Sequence, residues 1–130
     1  MPFDFERRRV SVVIESASVR LLIAKGAPEN LLEVCRDYEV DGVKSLLDGA
    51  ARSRCQRLFE DLSDQGYRVL AVAYRDLAEQ PVYGKSDEQQ LVLIGFLAFF
   101  DPPLEDASEM LRALARDGVQ VKILTGDNEK

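Results

Sequence analysis

The chain has 130 residues, 46% hydrophobic and 31% charged, a composition that excludes intrinsic disorder and collagen-like repeats and suits one domain with one core. Its net charge of −6 argues against a general polyanion-binding role, so nucleic acid is not an expected partner. Histidine is absent, which excludes a Ser-His-Asp triad and His-based acid–base chemistry within the chain, and the two cysteines, Cys35 and Cys55, do not form a zinc-site pattern.

Charge is unevenly spread: residues 1–25 carry a net +2 and the rest −8. A locally positive segment in an acidic chain suits a compact anion such as a nucleotide. Its plainer reading is that Arg7, Arg8 and Arg9 open a solvated edge strand. The longest apolar run, Leu91 to Phe100, is about half of the ~20 residues that a membrane span requires. Met1 to Phe5 is followed by arginines, not by the apolar core of a secretory signal.

Val10, Val12 and Ile14 alternate with Ser11, Val13 and Glu15, and Val19, Leu21 and Ile23 resume the alternation after Ser16-Ala17-Ser18; residues 8–24 read as a β-hairpin. Pro28 and Glu29 suit a helix start, and Leu31, Leu32 and Cys35 give a helical stripe over 28–36. Asp41-Gly42 between Val40 and Val43 predicts a second, small hairpin. Residues 46–65 are the longest helix candidate, with Leu47, Ala51, Cys55, Leu58 and Leu62 on one face and Arg52, Arg54, Glu60 and Asp64 toward water, stopping at Gly66. Both cysteines then lie at apolar helical positions, as buried free thiols.

Residues 68–74 are apolar on both faces, which predicts a central strand covered on both sides. The polar stretch 76–90 reads as the longest and most mobile loop. Residues 91–100 read as another buried strand, ended by Asp101-Pro102-Pro103. A helix over 104–117 and a strand over 119–124 follow, and Thr125-Gly126-Asp127-Asn128 sits at the tip of that strand. This α/β unit is unfinished, so the chain is expected to be a segment of something longer.

Two strings suit phosphate chemistry. Lys25-Gly26-Ala27-Pro28-Glu29 joins a strand end to a helix start, offering a point charge and unpaired N–H groups. In Thr125-Gly126-Asp127, a hydroxyl and a glycine N–H can both donate to a phosphoryl oxygen. Either string alone is compatible with an ordinary turn.

In order along the chain, Pro2-Phe3-Asp4-Phe5-Glu6-Arg7-Arg8-Arg9, Lys25-Gly26-Ala27-Pro28-Glu29, Gly66-Tyr67-Arg68-Val69-Leu70-Ala71-Val72-Ala73, Asp101-Pro102-Pro103 and Thr125-Gly126-Asp127-Asn128 resemble the P-type ATPase family of ion pumps. The first string, with Val10-Ser11-Val12-Val13 after it, is most similar to the bacterial magnesium-importing subgroup; a calcium- or other cation-transporting subgroup is the alternative. The resemblance implies an α+β fold: a twisted antiparallel sheet flanked by helices, followed by the truncated start of an α/β phosphorylation domain. It divides the chain into a nucleotide-binding domain over 1–100, a hinge at 101–103 and the beginning of the phosphorylation domain over 104–130.

The resemblance further implies that ATP, with Mg2+, is the ligand. Phe3 would stack on adenine, Lys25 would line the adenine end of the pocket, and Gly26 with Ala27 would let the nucleotide approach. Arg68 would reach the phosphates and Arg8 would lie near them. Phe5 departs from the arginine that calcium pumps often carry there. Thr125, Gly126 and Asp127 would hold the transferred phosphoryl group, while the nucleophilic aspartate and the catalytic Mg2+ ligands belong to segments not present in this sequence. The isolated chain is therefore expected to bind ATP weakly and not to hydrolyse it. Its partners would be the phosphorylation and actuator domains of the same protein, on the cytoplasmic side of a membrane. A free-standing phosphatase of the haloacid-dehalogenase type would need an Asp-x-Asp nucleophile pair, and the sequence contains none.

Overall fold

The computed structural model describes residues 1–16, 19–100 and 106–122. The chain forms β1 (Arg9–Ser16), β2 (Val19–Gly26), α1 (Pro28–Val34), β3 (Cys35–Val40), β4 (Val43–Leu46), α2 (Gly49–Asp64), β5 (Tyr67–Asp76), a 3-10 turn (Lys85–Asp87), β6 (Leu91–Phe100) and α3 (Ala107–Arg116). Six strands make one sheet in the order β1-β2-β5-β6-β3-β4. The fold is α+β, as expected.

The first hairpin pairs Arg9 with Gly26 and Ser16 with Val19, so Ser11 and Val13 face the same way as Leu22, Ala24 and Gly26. This side is the core. Leu22, Ala24, Ala71 and Ala73 have no exposed surface, and Leu31 and Leu32 of α1 with Ala51 and Phe59 of α2 close over them. The opposite side carries Val12, Ile14 and Lys25, all exposed. β5 is central in the sheet, but among the described residues its expected two-sided cover is absent: Val69, Ala71 and Ala73 are buried while Leu70, Val72 and Tyr74 are half-exposed. β6 is buried only at Leu91, Val92 and Leu93, and from Leu97 to Phe100 it is exposed. α1 and α2 lie on one side of the sheet, and a strand's own apolarity does not supply a cover.

The small hairpin turns at Asp41 (φ 51°) and Gly42 (φ 79°). Two consecutive left-handed residues are what a two-residue hairpin turn requires. This hairpin joins the main sheet through β3, which runs parallel to β6. The sheet is therefore mixed, with one parallel pairing added to the antiparallel strands expected from the sequence. The entry of β3 also shortens α1: Cys35 is the first residue of a strand, where its burial pushes the thiol up to about 12. Cys55 remains on α2, half-buried, and both cysteines are free thiols.

The helix expected over 46–65 begins at Gly49, because Leu46 belongs to β4 and the Asp48 carboxylate caps the new start by accepting the Ala51 N–H at 2.7 Å. Its core-facing stripe is Ala51 and Phe59, both buried, with Cys55 and Leu62 partly buried beside them; Leu58, expected on that stripe, is exposed. Arg52 does not face water. Its guanidinium donates to the carbonyls of Leu32 at 2.5 Å and Cys35 at 2.6 Å. α1 has no basic residue in its last turn, and the last carbonyls of a helix lack intrahelical partners and carry partial negative charge. Arg52 supplies that charge from the neighbouring helix. Arg52→Leu is expected to lower stability by roughly 1–3 kcal/mol, read by urea denaturation; a stability equal to wild type would show that water replaces the guanidinium at no cost.

The polar stretch 76–90 is pinned at its far end, against the expectation of a freely mobile loop. Glu88 has no exposed surface. Its carboxylate accepts from Arg7 Nη1 at 2.5 and 2.7 Å, Arg9 Nε at 2.9 Å and Ser11 Oγ at 2.6 Å. Arg75 on β5 adds bonds to the carbonyls of Asp87 and Gln89.

α3 falls within the helix expected over 104–117, and Met110, Leu111 and Leu114 on it are exposed. Residues 119–122 join no strand, although a strand was expected over 119–124. The motifs Asp101-Pro102-Pro103 and Thr125-Gly126-Asp127 lie outside the described residues, as does the turn at 17–18. Among the described residues, no helix is long and apolar enough to cross a membrane.

Candidate functional site

The sheet leaves a notch at one end. β2 stops at Gly26, opposite Ala71, and the chain turns at once into α1 at Pro28. β5 continues past that point: residues 67–70 pair with β6, from Tyr67 opposite Phe100 to Leu70 opposite Leu97, and have no β2 residue on their other side. The overhang, the β2–α1 junction and the chain preceding β1 enclose a cleft of about 900 Å3, within the size range of small-ligand sites.

Phe3, Arg8, Lys25, Gly26, Ala27 and Arg68 all line this cleft. They come from three places in the sequence, and only the sheet register brings them together. Phe5, Glu29 and Tyr67 line it too, with Phe59 and Ser63 from the end of α2. Lys25 and Arg68 are exposed on the uncovered side of the sheet. Three cations, Arg8, Lys25 and Arg68, stand against one carboxylate, Glu29, among the described lining residues. A cleft with that balance in an acidic chain favours a compact anion. The cleft also carries aromatic rings: Phe3 and Phe5 meet edge to face, with centroids 5.4 Å apart and an interplanar angle of 83°.

The three consecutive arginines separate by role. Arg7 and Arg9 turn inward to Glu88. Arg8 lies between them in the left-handed region (φ 47°), which directs it away from that pair, and it is exposed at the cleft. The turn before it is held by Asp4. Asp4 Oδ1 accepts the N–H groups of Glu6 at 2.9 Å and Arg7 at 3.0 Å, and the Arg8 N–H reaches the Asp4 carbonyl at 2.8 Å. The Lys85 ammonium, 2.5 Å from Asp4 Oδ2, and the Arg7 N–H groups hold this carboxyl well below the usual carboxylate range.

Gly26 is required by the chain itself. A Cβ there would come within 2.4 Å of the Arg8 carbonyl oxygen and 2.5 Å of the Arg9 Cβ. The same Arg8 carbonyl accepts the Ala27 N–H at 3.0 Å. This close crossing of β1 and β2 sets the wall of the cleft. No side chain caps α1 at Ala27.

Sequence reasoning did not assign Tyr67 or Glu29 to the site, although each lies in a string that supplied a site residue, Tyr67 beside Arg68 and Glu29 two residues after Ala27. Phe5 carried a signal of its own, as a second aromatic two residues from Phe3. Among the described residues no cluster of three or more carboxylate, thiol or imidazole groups could hold a metal ion.

Residues 1–106 match the family model described as P-type ATPase, cytoplasmic domain N. The chain is 45% identical, over 99% of its length, to a protein of Salmonella typhimurium named Magnesium-transporting ATPase, P-type 1, and covers 14% of that protein. It is 44% identical over 99% of its length to the protein of that name from Escherichia coli, covering 15% of it. At 29% identity over 98% of its length it matches Calcium-transporting ATPase 1 of Lactococcus lactis, again covering 15%. It thus spans 14–15% of the length of these relatives. Matched to the family model over residues 1–106, the chain belongs to the P-type ATPase family, in the part that forms cytoplasmic domain N.

Proposed function

We propose that the cleft at the end of the sheet binds ATP, and that the protein carrying this chain is an ATP-driven pump that imports magnesium. The convergence of Phe3, Arg8, Lys25, Gly26, Ala27 and Arg68 on one cleft supports the nucleotide reading. The higher identity to magnesium-transporting relatives, 44–45% against 29% for a calcium-transporting one, supports magnesium over calcium.

The adenine ring lies against Phe3, where base–aromatic stacking is worth roughly 1–3 kcal/mol. Lys25 borders the base end, and Arg68 and Arg8 receive the phosphates through charge-assisted hydrogen bonds. Mg2+ would enter with the nucleotide and would supply charge screening at its phosphates. This chain positions the nucleotide, and positioning with charge neutralisation is most of phosphoryl-transfer catalysis. In the whole protein, residues 1–100 present the γ-phosphate to an aspartate of the phosphorylation domain, which begins within 104–130. A hinge at Asp101-Pro102-Pro103 brings the two together, and Thr125, Gly126 and Asp127 contact the phosphoryl group. The domain works on the cytoplasmic side of the membrane, with the actuator domain of the same protein as a further partner.

An amide NMR titration of this chain with ATP tests the reading. Signals at Phe3, Lys25 and Arg68 are expected to shift at millimolar-scale nucleotide, with no hydrolysis. Lys25→Ala is expected to weaken binding roughly tenfold, as loss of a hydrogen bond to a charged group does. Unmoved signals at those three residues would refute the assignment of the cleft. Unchanged affinity in Lys25→Ala would remove that lysine from the site.

A further inference from the structure

The turn before β1 is restrained more heavily than a short connection needs. The Asp4 carboxylate holds the N–H groups of Glu6 and Arg7, the Arg7 guanidinium and the Lys85 ammonium. Arg7 in turn is locked to the buried Glu88. This frame presents Phe5 to solvent with 88% of its surface exposed. A single exposed phenylalanine on a loose loop carries no message. Phe5 stands instead on a fixed turn, on the wall of the cationic cleft, nearly perpendicular to Phe3.

We propose that Phe5 is a second base-contacting residue, which with Phe3 makes a two-ring corner for a purine. The proposal rests on the nucleotide reading above and extends it to a residue outside the expected set. A flat heteroaromatic ring laid on one wall of a right-angled corner presents its edge to the other wall. Stacked and edge-to-face contacts are both favoured by the ring quadrupoles. A benzyl group offers nothing to a phosphate, so Phe5 acts on the base alone and the anionic tail is left to Arg8 and Arg68. Phe5 therefore contributes equally to any ligand that carries the base, whatever the length of its phosphate chain.

Calorimetric titration of this chain with ATP, adenosine and inorganic triphosphate tests the proposal. Phe5→Ala is expected to weaken ATP and adenosine by the same factor, roughly two- to tenfold, and to leave triphosphate unchanged. Phe5→Tyr, which keeps the ring, restores both losses. Because the side chain is 88% exposed, the melting temperature of Phe5→Ala should match wild type. The proposal is overturned if Phe5→Ala binds ATP and adenosine as wild type does. It is equally overturned if triphosphate is weakened as much as ATP, which marks a displaced turn and not a lost base contact. In either case wild-type ATP binding leaves the nucleotide reading standing; a wild-type chain that takes neither ATP nor adenosine defeats both.

Discussion

Glu88→Ala is expected to destabilise the domain by about 3–5 kcal/mol, as removal of one partner from a buried ion pair does. The carboxylate has no exposed surface and takes bonds from Arg7, Arg9 and Ser11. Without it, two guanidinium groups are left with 13% and 11% of their side chains exposed and no buried countercharge at that point. Glu88→Gln keeps the shape and removes the charge, so it should recover the packing part of the loss and little of the rest. Burial alone would push this carboxyl up; the hydrogen bonds from Ser11, Arg7 and Arg9 outweigh it and hold the group below its ordinary value of 4.5. The folded state therefore releases this proton more readily than the unfolded chain. The stabilisation is fully present above pH 4.5 and is lost as pH falls through the lower, folded value. Asp4 is depressed too and adds to the same acid loss. Thermal melts from neutral pH to pH 3 should show wild-type stability falling steeply at the acid end, with a shallower fall in Glu88→Gln. An equal acid slope in the two proteins would show that Glu88 is not the group being protonated.

Gly26→Ala is expected to cost about 1–3 kcal/mol, the range for overpacking a well-filled site. The added methyl would meet the Arg8 carbonyl oxygen at 2.4 Å and the Arg9 Cα at 2.7 Å. These are backbone atoms and cannot rotate aside as the tip of a flexible side chain could. Relief requires β1 to move off β2. That breaks the Ala27 N–H to Arg8 carbonyl bond and carries Arg8, Phe5 and Phe3 away from the cleft. The substitution should therefore weaken both folding, read by urea titration, and ATP binding, read by the same NMR titration as above. Full stability with lost binding would mean that the glycine serves the ligand and not the strand crossing.

The acid-sensitive network and the glycine crossing act on the same few residues. Asp4 and Glu88 hold the turn that carries Phe3 and Phe5, and Gly26 lets the end of that turn lie flat against β2. The clamp reaches from residue 7 to residue 88 and so places the cleft under the control of a segment distant in sequence. Acid or substitution at Glu88 should for this reason loosen nucleotide binding before the core of β2, β5 and α1 is lost.

Much of this was legible without coordinates, where the signal was local. Period-two alternation at Val10–Ile14 and Val19–Ile23 marked the first hairpin, Asp41-Gly42 marked the second, and Pro28 marked the start of α1. Short strings that resemble a family picked out Phe3, Arg8, Lys25, Gly26, Ala27 and Arg68, and these six residues line one cleft. Burial and partners were not legible. Arg52 and Leu58 had water and core exchanged, because a helix of this length offers several apolar stripes and only the position of α1 selects one. Glu88 looked like part of a polar loop, since its partners lie 77 to 81 residues away in the sequence.

The sequence by itself determined that the two hairpins, α1, α2, β5 and β6 form and roughly where, because turn chemistry, capping and apolar periodicity act over a few neighbouring residues. Only the tertiary structure decided that β3 joins β6 in parallel, that β6 is half uncovered, and that Glu88 is a buried anchor. Those outcomes depend on which surfaces meet across long chain separations, and the loop-closure entropy and desolvation that govern such meetings leave no mark on any short stretch of residues.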